Sequence, residues 1–319
     1  MIKKFSLFAT ILALLSSPLA NAADAHVAVS QIVEHPALDA CRNGLKDGLA
    51  AAGYIEGENL KFEFQTAQGN PATASQIARQ FIGESPDVLV GIATPTAQAL
   101  ASATKTIPVV FSAVTDPVGA KLISNMEKPG GNVTGLSDLS PVGQHVATML
   151  EIVPNAKTIG VVYNLGEANA VSLVELLKAE ASKAGVSVLE GTVNRSADVG
   201  AATQAIVEGA DIIYAITDNT VASAIAAMVK VANSANTPIF AAATSYVEEG
   251  AVAAVGFDYY QIGFQTADYV VQILKGANPG DLAARVAKGT DIVINPAAAK
   301  KLGITLPASL TANPTRVVN

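Results

Sequence analysis

Hydrophobic and polar positions alternate along the chain with two different periods. Residues 87–92 form an uninterrupted apolar run after Asp87, which is typical of a strand buried on both faces. Within residues 36–52, apolar residues recur at helical spacing until Gly53, which indicates an amphipathic helix. The same criteria predict strands at 27–29, 60–64, 87–92, 107–111, 158–163, 186–189, 211–216 and 238–242, and helices at 36–52, 72–82, 97–103, 171–184, 197–208 and 221–233. Because strands and helices alternate, we predict an α/β protein whose parallel sheets are covered by helices.

The predicted elements occur in two similar sets. The segment DVLVGIATPT at residues 87–96 is matched by DIIYAITDNT at residues 211–220, which lies 124 positions later. The glycine that ends the first helix also recurs, because Gly53 matches Gly185 at a distance of 132 positions. Half of the chain is hydrophobic, which is enough for two cores. We therefore predict two α/β units of one design.

The first 22 residues have the three parts of a secretory signal peptide. Lys3 and Lys4 form a basic start, residues 5–15 form a short apolar run, and Ala20-Asn21-Ala22 is a small-x-small cleavage site. We expect cleavage after Ala22 and export to the periplasm. No later stretch approaches the roughly 18 apolar residues that a membrane helix needs, so we expect a soluble mature chain.

Cysteine usage argues against a disulfide-linked or lipid-anchored protein, and the net charge argues against a nucleic-acid-binding one. Cys41 is the only cysteine and follows the cleavage site by about twenty residues, so it can form neither an internal disulfide nor a lipid-anchored first residue. The net charge of -7, without a cluster of Lys and Arg, argues against nucleic acid as a partner. We expect a monomer.

Polar residues gather where several predicted strands end. Ligands of open parallel sheets bind beyond the carboxyl ends of the strands, often at helix N-termini. Each of these residues could instead cap a helix without touching a ligand, but the gathering at five strand ends favours a binding site. The residues are Glu34 and His35, Thr94 and Thr96, Ser112, Thr115 and Asp116, Asp218 and Asn219, and Thr244 and Ser245.

The sequence offers little to an enzyme. The three histidines, His26, His35 and His145, fall in no metal-binding spacing, and a single cysteine excludes a cysteine-rich zinc site. No nucleophile elbow, phosphate loop or dinucleotide fingerprint is present in the sequence. We therefore expect no catalysis, no metal and no cofactor, and a secreted hydrolase is a weak alternative.

Several stretches resemble one family of binding proteins. IVEHPALDACRNGLKDGLAAAGY, SAVTDPVGA, NVTGLSD, DYYQIGFQTADYVVQILKG and DIVINPAAAKKLGITLP are similar to ABC-transporter substrate-binding proteins of the type I periplasmic fold, in the family that includes tryptophan- and tyrosine-binding members. The resemblance implies two Rossmann-like lobes with parallel sheets and three crossovers. The amino-terminal lobe would hold residues 24–136 and 256–280, and the carboxy-terminal lobe residues 137–255 and 281–319. Hinges would lie near residues 135–137, 255–257 and 281–285.

The resemblance also implies a ligand and a partner. The ligand would be an amino acid, and the tryptophan- and tyrosine-binding members of the family point to an aromatic one. The partner would be an ABC permease in the inner membrane. Its carboxylate would meet Thr94, Thr96, the Ala113 backbone and Thr115, and its ammonium would meet Asp218. Asn219 and Ser245 would lie near Asp218, and Tyr163 is the first choice for stacking on an aromatic ligand. The strand-end pattern adds Glu34, His35 and Ser112 to the candidate binding residues. A sugar or nucleoside receptor of the same fold is the alternative, and the signal peptide excludes a transcriptional regulator.

Overall fold

The computed structural model describes residues 25–288 and 291–318. Its strands are β1 (Ala25–Gln31), β2 (Leu60–Thr66), β3 (Val88–Ile92), β4 (Val109–Ser112), β5 (Val133–Ser137), β6 (Thr158–Asn164), β7 (Ser187–Val193), β8 (Ile212–Ala215), β9 (Ile239–Ala243), β10 (Ala253–Phe257), β11 (Arg285–Val286), β12 (Asp291–Ile294) and β13 (Arg316–Val317). Its helices are α1 (Pro36–Ala51), α2 (Pro71–Glu84), α3 (Thr94–Ala103), α4 (Val142–Ile152), α5 (Ala168–Lys183), α6 (Val199–Ile206), α7 (Asn219–Ala222), α8 (Ile225–Ser234), α9 (Tyr259–Leu274), α10 (Pro296–Lys301) and α11 (Ala308–Thr311). The predicted signal peptide lies outside the described residues.

The strands form two separate sheets. The first has the order β11-β5-β4-β3-β1-β2 and is parallel throughout. The second has the order β13-β12-β10-β9-β8-β6-β7 and is parallel except where β10 meets β12. The predicted α/β class with two parallel-stranded units is confirmed. We call the first sheet with α1, α2, α3 and α9 the first lobe, and the second sheet with the remaining helices the second lobe.

The chain passes between the sheets three times. It leaves the first sheet after β5 and returns after β10, at the start of α9. The third passage follows β11, because Arg285 still pairs with Leu136 of the first sheet. This lies a few residues beyond the expected hinge at 281–285, since the short β11 extends the edge of the first sheet. A strand of two residues is too short to leave a periodic hydrophobic pattern in the sequence, so β11 was not predicted.

Helix α9 is held in the first lobe by close packing against α1. A Cβ atom on Gly44 would lie 1.9 Å from the Tyr260 carbonyl oxygen, and one on Gly263 would lie 1.8 Å from the Cys41 carbonyl oxygen. Each glycine therefore lets one helix backbone touch the other, which larger residues would prevent. The adjacent Leu45 is fully buried, a contribution of roughly 2 kcal/mol. This packing fixes the returning chain beside the cleft.

No helix in the described ranges combines the length and the apolar character needed to cross a bilayer.

Candidate functional site

A narrow cavity lies between the two lobes, at the carboxyl ends of both sets of strands. It encloses about 330 Å³ of atom-free space, part of which is open to solvent. This position is the one at which open α/β sheets bind ligands. The first lobe contributes His35, Ala37, Leu38, Ala93, Thr94, Ala113, Thr115 and Asp138, the second contributes Asn169, Thr217, Asp218, Asn219, Ala222, Ala243 and Tyr246, and Tyr259 lies where the chain returns to the first lobe.

Two turns of unusual backbone geometry shape the first-lobe wall. Ala93 and Ala113, which follow β3 and β4, have φ angles of 73° and 53°. This region is unfavourable for residues with a Cβ and typically costs about 1–3 kcal/mol, and such strain concentrates at functional sites. The turn at Ala93 places Thr94 at the start of α3, where its hydroxyl is enclosed and has no hydrogen-bond partner within the described residues. The first N–H groups of that helix also lack intrahelical acceptors.

Asp138 is a buried carboxylate at the first passage between the lobes. One oxygen accepts a hydrogen bond from the Thr115 hydroxyl at 3.1 Å, and the other accepts one from the Tyr259 hydroxyl at 2.6 Å. Burial raises the pKa of Asp138, while these two hydroxyl donors oppose the rise. The bond to Tyr259 ties two of the passages between the lobes together.

Asp218 lies on the second-lobe wall and is fully buried. It caps α7 by accepting the Val221 N–H at 2.7 Å, and its other oxygen accepts the Asn164 N–H at 2.7 Å. Burial is the main cause that raises its pKa to about 8, and the negative charge of Glu167 adds to the effect. The capping role weighed from the sequence is thus present, and the same carboxylate also lines the cavity.

Glu167 organises the residues around Asp218. It is buried, and it accepts hydrogen bonds from the Asn219 N–H at 3.1 Å and from the Thr220 N–H at 3.0 Å. It also accepts the Asn169 side-chain N–H at 3.2 Å. Its carboxylate therefore fixes both the turn after β8 and the start of α5.

His35 precedes α1 without capping it. Its Nε2 atom is enclosed and has no partner among the described residues. Burial lowers the pKa of His35 to about 4, against smaller opposing effects of Asn219 and Asp39. The ring is therefore neutral near pH 7, and it offers one free polar atom beside the cavity.

Among the described residues, the cavity lining contains acidic side chains without lysine or arginine, and several of its polar atoms lack a hydrogen-bond partner. Among the described lining residues, two are carboxylic acids and none is lysine or arginine. Four lining side chains carry a buried polar atom for which the described chain provides no partner: His35, Thr94, Asn169 and Thr217. Buried polar atoms are nearly always paired, so an uncompensated group in such a place needs an explanation. Several such groups around one cavity are what a polar ligand would satisfy.

The structure brings six of the eleven predicted site residues to the cavity: His35, Thr94, Ala113, Thr115, Asp218 and Asn219. It places the other five elsewhere, for reasons that can be read from their contacts. The Thr96 hydroxyl donates to the Ile92 carbonyl at 2.6 Å, one turn back along the chain, and the Ser112 hydroxyl bonds to Thr266 at 2.7 Å. The Tyr163 hydroxyl donates to Glu190 at 2.7 Å.

Glu34 and Ser245 line a neighbouring depression between the lobes, which shares His35, Ala222 and Tyr246 with the cavity.

Ten lining residues were not among the predicted site residues, and five of these are polar or aromatic: Asp138, Asn169, Thr217, Tyr246 and Tyr259. Asp138 and Tyr259 follow β5 and β10, two strands that the periodicity did not predict. Both occur within stretches that carried the family resemblance, which was the available signal. Asn169 lies inside a helix that was predicted to begin at residue 171, and nothing in its local pattern indicates a site.

The comparisons with known proteins agree on one family. The family model described as ABC transporter substrate binding protein matches residues 26–318. A tyrosine-binding protein of Clostridioides difficile (strain R20291) is 38% identical over 270 residues, which cover 85% of this chain and 78% of the relative.

Three solved structures are similar over nearly the whole chain. A conserved domain protein from Vibrio cholerae O1 biovar eltor is 68% identical, with a TM-score of 0.91 and coverage of 92% of this chain and 100% of that one. A Streptococcus pneumonia ABC domain in complex with L-Trp is 39% identical, with a TM-score of 0.89 and coverage of 93% and 100%. The ligand-free, open structure of a substrate binding protein with adhesive properties from Clostridium difficile is 38% identical, with a TM-score of 0.71 and coverage of 92% and 99%.

More distant solute-binding structures share the fold alone, such as one from Bacillus halodurans with bound myo-inositol at 17% identity and a TM-score of 0.64. The predicted type I periplasmic-binding fold is thereby confirmed. The chain belongs to the ABC transporter substrate-binding protein family.

Proposed function

We propose that this chain is the periplasmic solute-binding component of an ABC importer and that it binds an aromatic amino acid between its lobes. The observation that carries the proposal is the cavity itself, which has the unpartnered Thr94 hydroxyl at a helix N-terminus on its first-lobe wall and the buried Asp218 on its second-lobe wall. The other lining acid, Asp138, lies on the first-lobe wall and already accepts hydrogen bonds from the Thr115 and Tyr259 hydroxyls. Relatives named for tyrosine and solved with L-Trp support the ligand class.

The first-lobe wall suits a carboxylate. Thr94 offers a free hydroxyl at the N-terminus of α3, a ten-residue helix whose positive end favours anions. No charged donor is needed there, because several neutral donors aimed at one anion bind it well in an enclosed site. The carboxylate of an amino acid would lie against Thr94 and the turn at Ala113.

The second-lobe wall suits an ammonium. Asp218 is buried, the described lining contains neither lysine nor arginine, and the one lining histidine, His35, is neutral near pH 7 because burial lowers its pKa to about 4. Burying a carboxylate without a cation is costly, which is why burial raises the pKa of Asp218. A ligand ammonium would supply the missing positive charge and hold Asp218 in its ionised form.

The remaining surface of the cavity suits a flat apolar side chain. Ala37, Leu38, Ala222 and Ala243 present small apolar groups, and Tyr246 provides an aromatic ring. Such a slot can enclose an aromatic ring without a large polar cost.

The lobes have the arrangement expected of a closed binding protein. The Ser172 hydroxyl of α5 donates to Asp116 of the first lobe at 3.2 Å, across the cleft. The backbone is also more similar to the L-Trp complex than to the ligand-free, open structure, with TM-scores of 0.89 and 0.71 at nearly equal identity. Closure by hinge rotation would allow a permease to recognise the loaded form. In this role the chain is a monomeric binder rather than an enzyme.

A thermal-shift panel tests the proposal. The mature chain would be melted with each of the twenty amino acids and with common sugars and nucleosides. A ligand at 100 times its Kd stabilises a protein by about 2.7 kcal/mol, so a true ligand raises the midpoint clearly. We expect L-tryptophan or L-tyrosine to give the largest rise. A rise with sugars or nucleosides alone would contradict the proposal.

A further inference from the structure

We propose that the side-chain carbonyl of Asn169 accepts a hydrogen bond from the ligand's ammonium and that Glu167 is the positioning residue that orients it. This rests on the proposed function, since it assigns a contact within the same amino-acid site. Asp218 is the acid that the sequence points to, but both of its oxygens already accept backbone N–H groups. The lone pairs that remain on its oxygens can meet at most two of the three N–H donors of an ammonium, so the second-lobe wall needs another acceptor.

The orientation of the Asn169 amide follows from its neighbours. Its Nδ2 atom donates to Glu167 Oε2 at 3.2 Å and to the Thr217 carbonyl oxygen at 3.1 Å. With the amide turned over, Oδ1 would face these two acceptors, and both contacts would become repulsive. The Oδ1 atom is thus fixed on the side away from Glu167.

That oxygen is buried and has no partner in the described part of the chain. Asn169 is 4% exposed, lies at the second position of α5, and lines the cavity. A carbonyl oxygen can only accept, so the group that satisfies it has to be a donor. Leaving it unpaired in the closed form would cost about as much as a lost hydrogen bond.

The neighbouring groups complete an ammonium site. Thr217 also lines the cavity, and its hydroxyl oxygen has no partner in the described ranges. Asn169 Oδ1, the Thr217 hydroxyl and the Asp218 carboxylate would together meet three N–H donors. Glu167 does not line the cavity, but its buried charge lies directly behind Asn169 and adds to the attraction for a cation.

The test is a thermodynamic cycle in which the Asn169 amide and the ligand ammonium are removed singly and together. Calorimetry would measure the Kd of L-tryptophan and of indole-3-propionate, which lacks only the ammonium, for the wild type and for Asn169→Leu. The same pair of measurements with L-tyrosine and 3-(4-hydroxyphenyl)propionate applies if tyrosine is the tighter ligand. Competition monitored by ligand NMR would extend the range to weak binding. Asn169→Ala serves if the leucine variant does not fold.

We expect the Asn169 change to weaken amino-acid binding roughly tenfold to hundredfold and to alter binding of the des-amino acid by less than about twofold. Asn164→Leu is the matched control, because the Asn164 side chain donates to Thr220 in the same network without lining the cavity. It should weaken both ligands by similar factors. Glu167→Gln should reproduce part of the selective loss, since it weakens the support of Asn169.

Equal losses of the amino acid and the des-amino acid in the Asn169 variant would overturn the assignment while leaving the proposed function intact. A wild-type protein that binds neither amino acid would overturn both.

Discussion

Replacing Thr94 by valine separates a ligand contact from a structural one. The substitution keeps the shape of the side chain and removes only the hydroxyl, whose oxygen is enclosed and has no partner among the described residues. Because no protein hydrogen bond is lost, the free energy of unfolding of the ligand-free chain should stay the same or rise, by about 1 kcal/mol at most. Ligand binding should suffer, since this hydroxyl is the free donor at the start of α3.

The expected loss of affinity can be estimated from the chemistry of the contact. A hydrogen bond to a charged group contributes about 1.5–3 kcal/mol, which corresponds to a roughly tenfold to hundredfold increase in Kd. Calorimetric titration with L-tryptophan or L-tyrosine measures this change, and urea unfolding of the ligand-free chain measures stability.

Thr96→Val is the control, two residues further along. The Thr96 hydroxyl is also buried, but it donates to the Ile92 carbonyl at 2.6 Å. Its removal should lower the free energy of unfolding by about 1 kcal/mol and change the Kd little. If Thr94→Val instead lowered stability and left the Kd unchanged, the hydroxyl would be structural and the assignment of the carboxylate wall would be refuted.

Three further predictions concern stability and reactivity. Gly263→Ala should lower the free energy of unfolding by roughly 3 kcal/mol in urea titrations, because the new methyl would lie 1.8 Å from the Cys41 carbonyl oxygen. The control is Gly83→Ala, whose new methyl would meet nothing within 4 Å and which should be neutral or stabilising. Equal effects of the two substitutions would contradict the packing argument. Burial lowers the pKa of His145 to about 4, so the folded state favours the neutral ring. The resulting contribution to the free energy of unfolding is complete above pH 6.5, the pKa of an exposed histidine, and is lost as the pH falls toward 4. Between pH 7 and pH 5 the wild type should therefore lose about 2 kcal/mol of stability relative to His145→Gln, and an unchanged difference would contradict this. The Cys41 thiol is fully buried and burial raises its pKa to about 12, so Ellman's reagent should react with it only on unfolding; rapid reaction with the native chain would show that the α1–α9 contact opens.

The sequence predicted the architecture well because burial imposes a strong pattern on central elements. Strands β3 and β8 are apolar throughout and were predicted from that feature alone. The edge strand β11, with two residues, leaves no periodic trace. Strands β5 and β10 were also missed, although each has five buried residues and lies between two neighbours in its sheet. The predicted helix at 221–233 is interrupted, because α7 ends at Ala222 and α8 begins at Ile225.

Most predicted site residues that line the cavity lie in a turn that follows a predicted strand. Thr94 and Asp218 fulfil that condition and line the cavity. Thr96 also fulfils it, but the helical turn directs its hydroxyl back to a main-chain carbonyl. Asn169 could not be predicted, since its role depends on Glu167 and on the turn after β8, which lies about fifty residues away in the sequence. Local patterns do not contain such long-range hydrogen bonds.

The central claim is that opposite walls of one cavity bind the two charged ends of an amino acid. Calorimetric titration of the wild-type mature chain with L-tryptophan, tryptamine and indole-3-propionate, together with the equivalent tyrosine series, tests it most directly. We predict that one of the two amino acids binds and that loss of either charged group weakens binding by roughly thirtyfold or more, since each end forms charge-assisted contacts in an enclosed site. An amine or acid analogue that binds as tightly as its parent amino acid would contradict the claim.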